Sequence, residues 1–145
     1  MIRILCVGKI KENYLKDLIQ DYYLRINKYH KLEIIEVKDN NDILLETKEI
    51  MKYINKYEYN IALCINGQKI SSIKFAQYVD KLFIINSNIT FIIGGSNGLD
   101  KSILDCCDDF ISFSDMTFPH GLFRGILLEQ IYRTFKINNN ESYHK

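Results

Sequence analysis

Hydrophobic positions in this chain alternate between two spacings: short, nearly continuous runs, and longer stretches with an apolar residue every third or fourth position. Ile2 to Val7 is a short run closed by Gly8, the pattern of a buried strand. Tyr14, Leu15, Leu18, Ile19, Tyr22, Tyr23 and Ile26 are spaced for one face of a helix. Leu32 to Val37 reads as the next strand. Ile43 to Tyr57 reads as a less regular helix carrying Leu44, Leu45, Ile50, Met51 and Ile54. Asn60 to Ile65 is a third strand, stopped by the turn dipeptide Asn66-Gly67. Ser71 or Ser72 can cap the following helix, which holds Ile73, Phe75, Ala76, Val79 and Leu82. Ile89 to Ile93 is a fourth strand that runs into Gly94-Gly95. A short helix from Asp100 to Cys107 leads to a fifth, Phe110 to Phe113. Pro119 takes the favoured first position of a last helix, striped by Leu122, Phe123, Ile126, Leu127 and Ile131. Strands joined by helices of this length predict an α/β fold, a mainly parallel sheet with helices on both faces. No linker or repeat divides the pattern, so a single domain over residues 1–145 is expected.

Composition narrows the class. At 47% hydrophobic and 26% charged residues the chain is neither disordered nor coiled-coil in character. Its 145 residues suffice for a core without disulfides or a structural metal. No apolar run approaches the roughly 20 residues of a membrane span. The opening MIRILCVGKIK is too short in its apolar part, and too soon charged, for a signal peptide. A cytoplasmic protein with no membrane partner is therefore expected. Cys6 and Cys64 sit in strand-like runs as small hydrophobes. The adjacent Cys106 and Cys107 suit neither a zinc site nor an easy disulfide, so no metal is expected. A net charge of +1 lacks the basic excess of most nucleic-acid binders. Basic residues do cluster locally: Arg3, Lys9 and Lys11 early, then Arg124, Arg133, Lys136 and Lys145 late.

Ligands of open parallel sheets bind outside the carboxyl ends of the strands. Three such ends carry unusual residues here: Asn66-Gly67, Gly94-Gly95-Ser96-Asn97-Gly98 and Ser114-Asp115-Met116-Thr117. Glycines directly after a strand let a ligand reach bare backbone, although a tight turn without a ligand fits the same residues. A dinucleotide site would need G-x-G-x-x-G, whereas Gly94, Gly95 and Gly98 give G-G-x-x-G. Asp115 lies about 20 residues on, where a ribose-binding acid belongs. Too little chain follows it, however, to complete a dinucleotide-binding half. His120 stands at a helix start, where the dipole disfavours its protonation, and either orients a substrate or packs. Arg124 follows one turn later on the same side. Tyr143, His144 and Lys145 come after a polar stretch expected to fray, yet as an aromatic, an imidazole and a cation they suit contact with an unpaired RNA base.

In order, these pieces resemble the RlmH family of SPOUT methyltransferases. The matching residues are Gly94-Gly95-Ser96-Asn97-Gly98-Leu99, Ser112-Phe113-Ser114, Met116-Thr117-Phe118-Pro119-His120, Arg124, Leu128-Glu129-Gln130-Ile131-Tyr132-Arg133, Phe135-Lys136-Ile137 and Tyr143-His144-Lys145. The early MIRILCVGKIKENY and LEIIEVKD add to the likeness. The resemblance implies a C-terminal trefoil knot, which periodicity would never suggest, since threaded chains are rare. It implies S-adenosylmethionine bound in the knot by Leu63, Gly94, Phe113, Ser114, Asp115, Met116, Thr117 and Phe118, with no metal. It further implies a homodimer through the C-terminal helix, acting in 23S rRNA on N3 of a pseudouridine in helix 69; the modest positive charge favours the assembled ribosome over free RNA as substrate. His120, Arg124, Tyr143 and His144 become the candidates for holding that base and easing loss of its N3 proton. Asp115 stands at a cofactor-loop position where relatives accommodate lysine. Two other readings compete: a non-catalytic RNA-binding module of the same fold, and a Rossmann-type nucleotide-cofactor enzyme.

Overall fold

The structure is a computed structural model that describes residues 1–145. Its elements run β1 (Ile2–Val7), α1 (Asn13–Asn27), β2 (Leu32–Val37), α2 (Ile43–Met51), β3 (Tyr59–Lys69), α3 (Ser72–Ile85), β4 (Ile89–Ile93), α4 (Lys101–Leu104), β5 (Asp109–Ser112) and α5 (His120–Asn138). The five strands form one sheet in the order β2-β1-β4-β3-β5, and every neighbouring pair is parallel. Phe91 in the central strand pairs with Ile4 on one side and Ile61 on the other.

Strand alternation sends side chains into two layers. Ile2, Ile4 and Cys6 of β1, with Ile89, Phe91 and Ile93 of β4, face α3 and α5 and form the larger core. Leu5, Val7 and Ile92 point the other way, against Ile50 of α2 and Ile103 of α4. Continuous apolar runs are what burial on both faces demands. Helix α5 packs against both α1 and α3. At its contact with α1 there is no room for a side chain, because a methyl group on Gly125 would lie 2.7 Å from Leu18 Cδ2. Of the last helix's stripe, Leu127, Leu128 and Ile131 are spent on the core, while Leu122 remains exposed.

Several boundaries depart from the periodicity. Helix α2 ends at Met51, not Tyr57: Tyr53 N–H turns back to the Ile50 carbonyl, and Asn55 Oδ1 takes the Tyr57 N–H at 3.0 Å. Helix α4 ends at Leu104, with Cys106 and Cys107 in a tighter turn bonded to Ile103 and Leu104. Ser71 is the α3 cap, accepting the Lys74 N–H at 3.2 Å. Pro119 sits one residue outside α5, at its N-cap. Nor does Asn66-Gly67 end β3. Pairing with β5 breaks off after Leu63↔Ile111 and resumes at Gln68↔Ile111 and Lys69↔Ser112. Gly67 serves this crossing, since a methyl group there would lie 2.6–2.8 Å from backbone atoms of Phe110 and Ile111.

The tail does not fray. Asn140, at φ 55, closes α5 with a Schellman motif: Glu141 N–H reaches the Lys136 carbonyl and Asn140 N–H the Ile137 carbonyl. The polar run that resembles a loose linker is a helix stop.

The Gly67 contact is to backbone, so no rotamer change relieves it. Gly67→Ala is expected to lower stability by about 1–3 kcal/mol, the usual cost of overpacking, as read from the urea midpoint at unchanged slope.

Candidate active site

The carboxyl ends of β3, β4 and β5 converge around the Gly94–Gly98 turn. This turn is closed on itself by the Gly98 N–H to Gly95 carbonyl bond at 3.0 Å. A methyl group on Gly94 would meet the Gly98 carbonyl at 2.6 Å, so only glycine lets the turn fold this tightly. Beside it the chain between β5 and α5 forms a second wall. There Ser112 Oγ donates to the Ser114 carbonyl, and Ser114 Oγ accepts the Met116 N–H, both at 3.0 Å. Phe123 backs this wall, with Phe113 edge-on at 5.3 Å and Phe118 stacked at 6.2 Å.

The walls enclose a cleft of about 290 Å³, at the lower edge of the roughly 300–1,000 Å³ typical of small-molecule sites. Leu63, Gly94, Phe113, Ser114, Met116, Thr117 and Phe118 line it, seven of the eight residues expected at a cofactor. Asp115 is the exception. Its side chain points outward and pairs with Lys69. Sequence reasoning missed Cys64, Ile65, Leu99 and Phe123, which also line the cleft. The β3 pair was discoverable as the residues that follow Leu63. Apart from His120, no ionisable side chain other than the Cys64 thiol faces the cleft, and burial pushes that thiol up, away from reactivity. Recognition here rests on backbone groups, hydroxyls and apolar walls. A larger groove of about 710 Å³ lies between α1 and β2, with Arg3, Lys16, Lys31 and Glu33 among its walls. It runs along a strand flank and lacks the converging backbone of the strand ends.

His120 opens α5 and lines the cleft. Arg124, expected to point at the same pocket, does not line it and stands instead on the wall of the larger groove. Only 1% exposed, it donates from Nη1 to Glu36 Oε2 at 2.7 Å and from Nη2 to the Gly8 carbonyl at 2.9 Å. The guanidinium thus ties the start of α5 to the ends of β1 and β2.

Tyr143 and His144 are brought together with each other but not with His120. Tyr143 packs edge-on against Tyr132 at 5.0 Å, under the Arg133 guanidinium at 4.7 Å. Its hydroxyl donates to Glu129 Oε1 at 3.1 Å and lies 3.3 Å from the Tyr22 hydroxyl. Burial first, then these two partners, raise the phenol well above its ordinary range, so Tyr143 offers a proton donor and not a base. His144 is exposed, with Nδ1 3.0 Å from Arg133 Nη1. At 1.5 Å rise per residue, the helix from His120 to Arg133 spans about 20 Å.

A glycine-turned cleft at the strand ends of such a sheet belongs to more than one enzyme class, and comparison with known proteins decides between them. The family described as "Predicted SPOUT methyltransferase" matches residues 1–144. A protein of Acetivibrio thermocellus named ribosomal RNA large subunit methyltransferase H is 45% identical, over 99% of both chains. One of Clostridium perfringens (strain SM101), named ribosomal RNA large subunit methyltransferase H 1, is 43% identical over the same shares. The chain belongs to the RlmH family of SPOUT methyltransferases. Its fold is accordingly the SPOUT α/β knot. The structure of the SpoU methyltransferase AviRb from Streptomyces viridochromogenes, in complex with AdoMet, superimposes with a TM-score of 0.51 at 10% identity. It covers 92% of this chain and 57% of that one. This SPOUT methyltransferase therefore sets its glycine turn, its serine-bridged loop and the start of α5 around one cleft, and holds that arrangement with a buried arginine.

Glu36→Gln strands the buried Arg124 charge and is expected to cost about 3 kcal/mol in urea unfolding. The double variant Glu36→Gln/Arg124→Met, which removes the charge as well, is expected to recover a measurable part of that loss.

Proposed function

We propose that this chain transfers a methyl group from S-adenosylmethionine to N3 of a pseudouridine in helix 69 of the large-subunit ribosomal RNA, acting on the assembled ribosome. The observation that carries this reading is the cleft. Seven of its lining residues are among the eight that the family resemblance assigns to the methyl donor, in a chain whose full-length relatives are named rRNA large subunit methyltransferases. The residues present fit such a group: backbone at Gly94 and at Ser114 to Met116 suits an adenine edge and a ribose, and the apolar walls suit the flat ring. Absence of a carboxylate lining the cleft argues against the ribose-binding acid of a dinucleotide enzyme.

When bound, S-adenosylmethionine supplies a sulfonium methyl that is already activated, so the protein's task is alignment and removal of the N3 proton. His120 lines the cleft, which supports assigning it as the acceptor of that proton. Arg124 acts through it as a positioning residue, fixing the first turn of α5 against the strand ends. Lys9 and Lys11, exposed just after β1, supply cations for RNA phosphates next to this edge. Tyr143 and His144 stand about a dozen helical residues away, so we infer that they serve the cleft of a second copy. Two antiparallel α5 helices would set each tail beside the partner's helix start. Exposed Leu122 and half-buried Ile126 form the apolar strip for that contact.

Calorimetry should show S-adenosylmethionine binding to wild type, abolished by Gly94→Val and changed less than about threefold by Asp115→Ala. Incubation with ribosomes lacking the modification should yield N3-methylpseudouridine by nucleoside mass spectrometry. A different methylated nucleoside would redirect the specificity, and no heat of binding would sink the reading.

The tail assignment has its own check. His144→Ala and Tyr143→Phe should each reduce kcat at least tenfold with methyl-donor affinity intact. Mixing His144→Ala with His120→Ala should restore activity through hybrid dimers.

A further inference from the structure

Near His120, outside the lining of the methyl-donor cleft, lies a carboxyl pair to which the proposed function assigns no role. The ends of β1, β2 and β4 are adjacent in the sheet, and there Gly8, Asp39 and Gly95 meet α2. A methyl group placed on Gly8 would sit 3.3 Å from His120 Nε2 and 3.9 Å from Asp39 Cβ. One placed on Gly95, a wall residue of the cleft, would sit 3.3 Å from Glu46 Oε2. Glu46 is 2% exposed, and although its Oε1 accepts the Asn40 N–H at 3.2 Å, its Oε2 has no partner. An orphan carboxylate oxygen in that position is costly, and a group that costs stability without packing benefit points to a use.

Building on the methyl-transfer reading, we propose that Glu46, with Asp39 beside it, is the positioning residue that makes His120 a competent acceptor of the N3 proton. Transfer to N3 breaks the N3–H bond. Nitrogen keeps the electron pair that forms the new N–C bond as the donor's S–CH3 bond breaks with its pair left on sulfur, giving S-adenosylhomocysteine, and the proton passes to the imidazole, which becomes imidazolium. At the start of α5 that positive charge meets the positive end of the helix dipole. Arg124 also reaches this corner, at the Gly8 carbonyl, but is paired with Glu36; the remaining acids here, Asp39 after β2 and Glu46 of α2, carry the negative charge that offsets the imidazolium. Glu46 answers to its surroundings accordingly. Burial first, and Asp39 as a neighbouring acid, raise its carboxyl, while the Asn40 amide and His120 pull it down.

Linkage separates this role from a structural one. A carboxyl raised in the folded state binds its proton more tightly than in the unfolded chain. Its contribution therefore favours the fold at pH below the ordinary carboxylate value and is lost as pH rises through the raised one. Ionising a carboxyl raised in this way opposes folding, so Glu46→Gln should melt at or above the wild-type Tm.

The test compares Glu46→Gln and Asp39→Asn with wild type on unmodified ribosomes. Expected for Glu46→Gln are a kcat at least tenfold lower, an acidic limb of the rate profile moved to lower pH, S-adenosylhomocysteine affinity within twofold and an undiminished Tm. Asp39→Asn, at an exposed residue, should change kcat in the same direction by less. Wild-type kcat and pH profile in Glu46→Gln would overturn the proposal. So would a lowered Tm in Glu46→Gln together with an unaffected Asp39→Asn. No methyl transfer by wild type itself would sink the methyl-transfer reading, and this inference with it.

Discussion

The Arg124 guanidinium is the fixed point of this molecule. It is buried where β1 ends, and its partners come from β1 (the Val7 and Gly8 carbonyls) and β2 (Glu36). A charge so placed tolerates little movement, because each displaced hydrogen bond leaves a desolvated group behind. Helix α5 must therefore begin at one height and rotation relative to the sheet. His120, one turn earlier, inherits that precision, and so does the loop from Phe113 to Pro119 that has to reach it.

Around this anchor the site is made mostly of main chain. The tight Gly94–Gly98 turn and the serine-bridged loop after β5 present backbone groups whose positions are set by the strands. Of the ionisable groups nearby, His120 lines the cleft, Glu46 stands behind Gly95 and Arg124 is buried at the end of β1. A cleft free of carboxylates, with the acids held one layer back, suits the proposed sulfonium donor, since a carboxylate in the cleft would stabilise its charge before transfer.

Much of this was legible in the chain. All five strands and the last helix follow from apolar spacing, because strands covered on both faces have little choice but continuous hydrophobes. The glycine turn at the end of β4 was visible as a ligand edge. The errors share a cause: residue type reports local preference, and long-range contact decided the outcome. Asn66-Gly67 is a turn signal by propensity, yet β5 crosses at Gly67 and pairing resumes beyond it. Arg124 reads as a cation at helical spacing from His120, aimed at the same pocket, and only its partners 88 and 116 residues away in sequence draw it elsewhere and bury it. Polar Asn138 to Asn140 suggests a loose end, although Asn140 is there because it tolerates the left-handed conformation that stops a helix. Glu46 left no signal at all, being one acid among several on an irregular helix. The knot lies beyond periodicity altogether, and the family resemblance supplied it.

The lodging of α5 between α1 and α3 has a consequence for how the protein comes into being. This helix supplies Leu127, Leu128 and Ile131 to the larger core and Phe123 to the cleft. A growing chain exposes its N-terminal strands first, and domains complete themselves only when their last element has emerged. Until α5 seats, the face of the sheet that it shares with α3 is only partly covered and the cleft lacks its back wall. Core and cleft are finished in the same event. A molecule that recognises the cleft has nothing to hold on a partly made chain and stabilises the completed fold alone, by mass action.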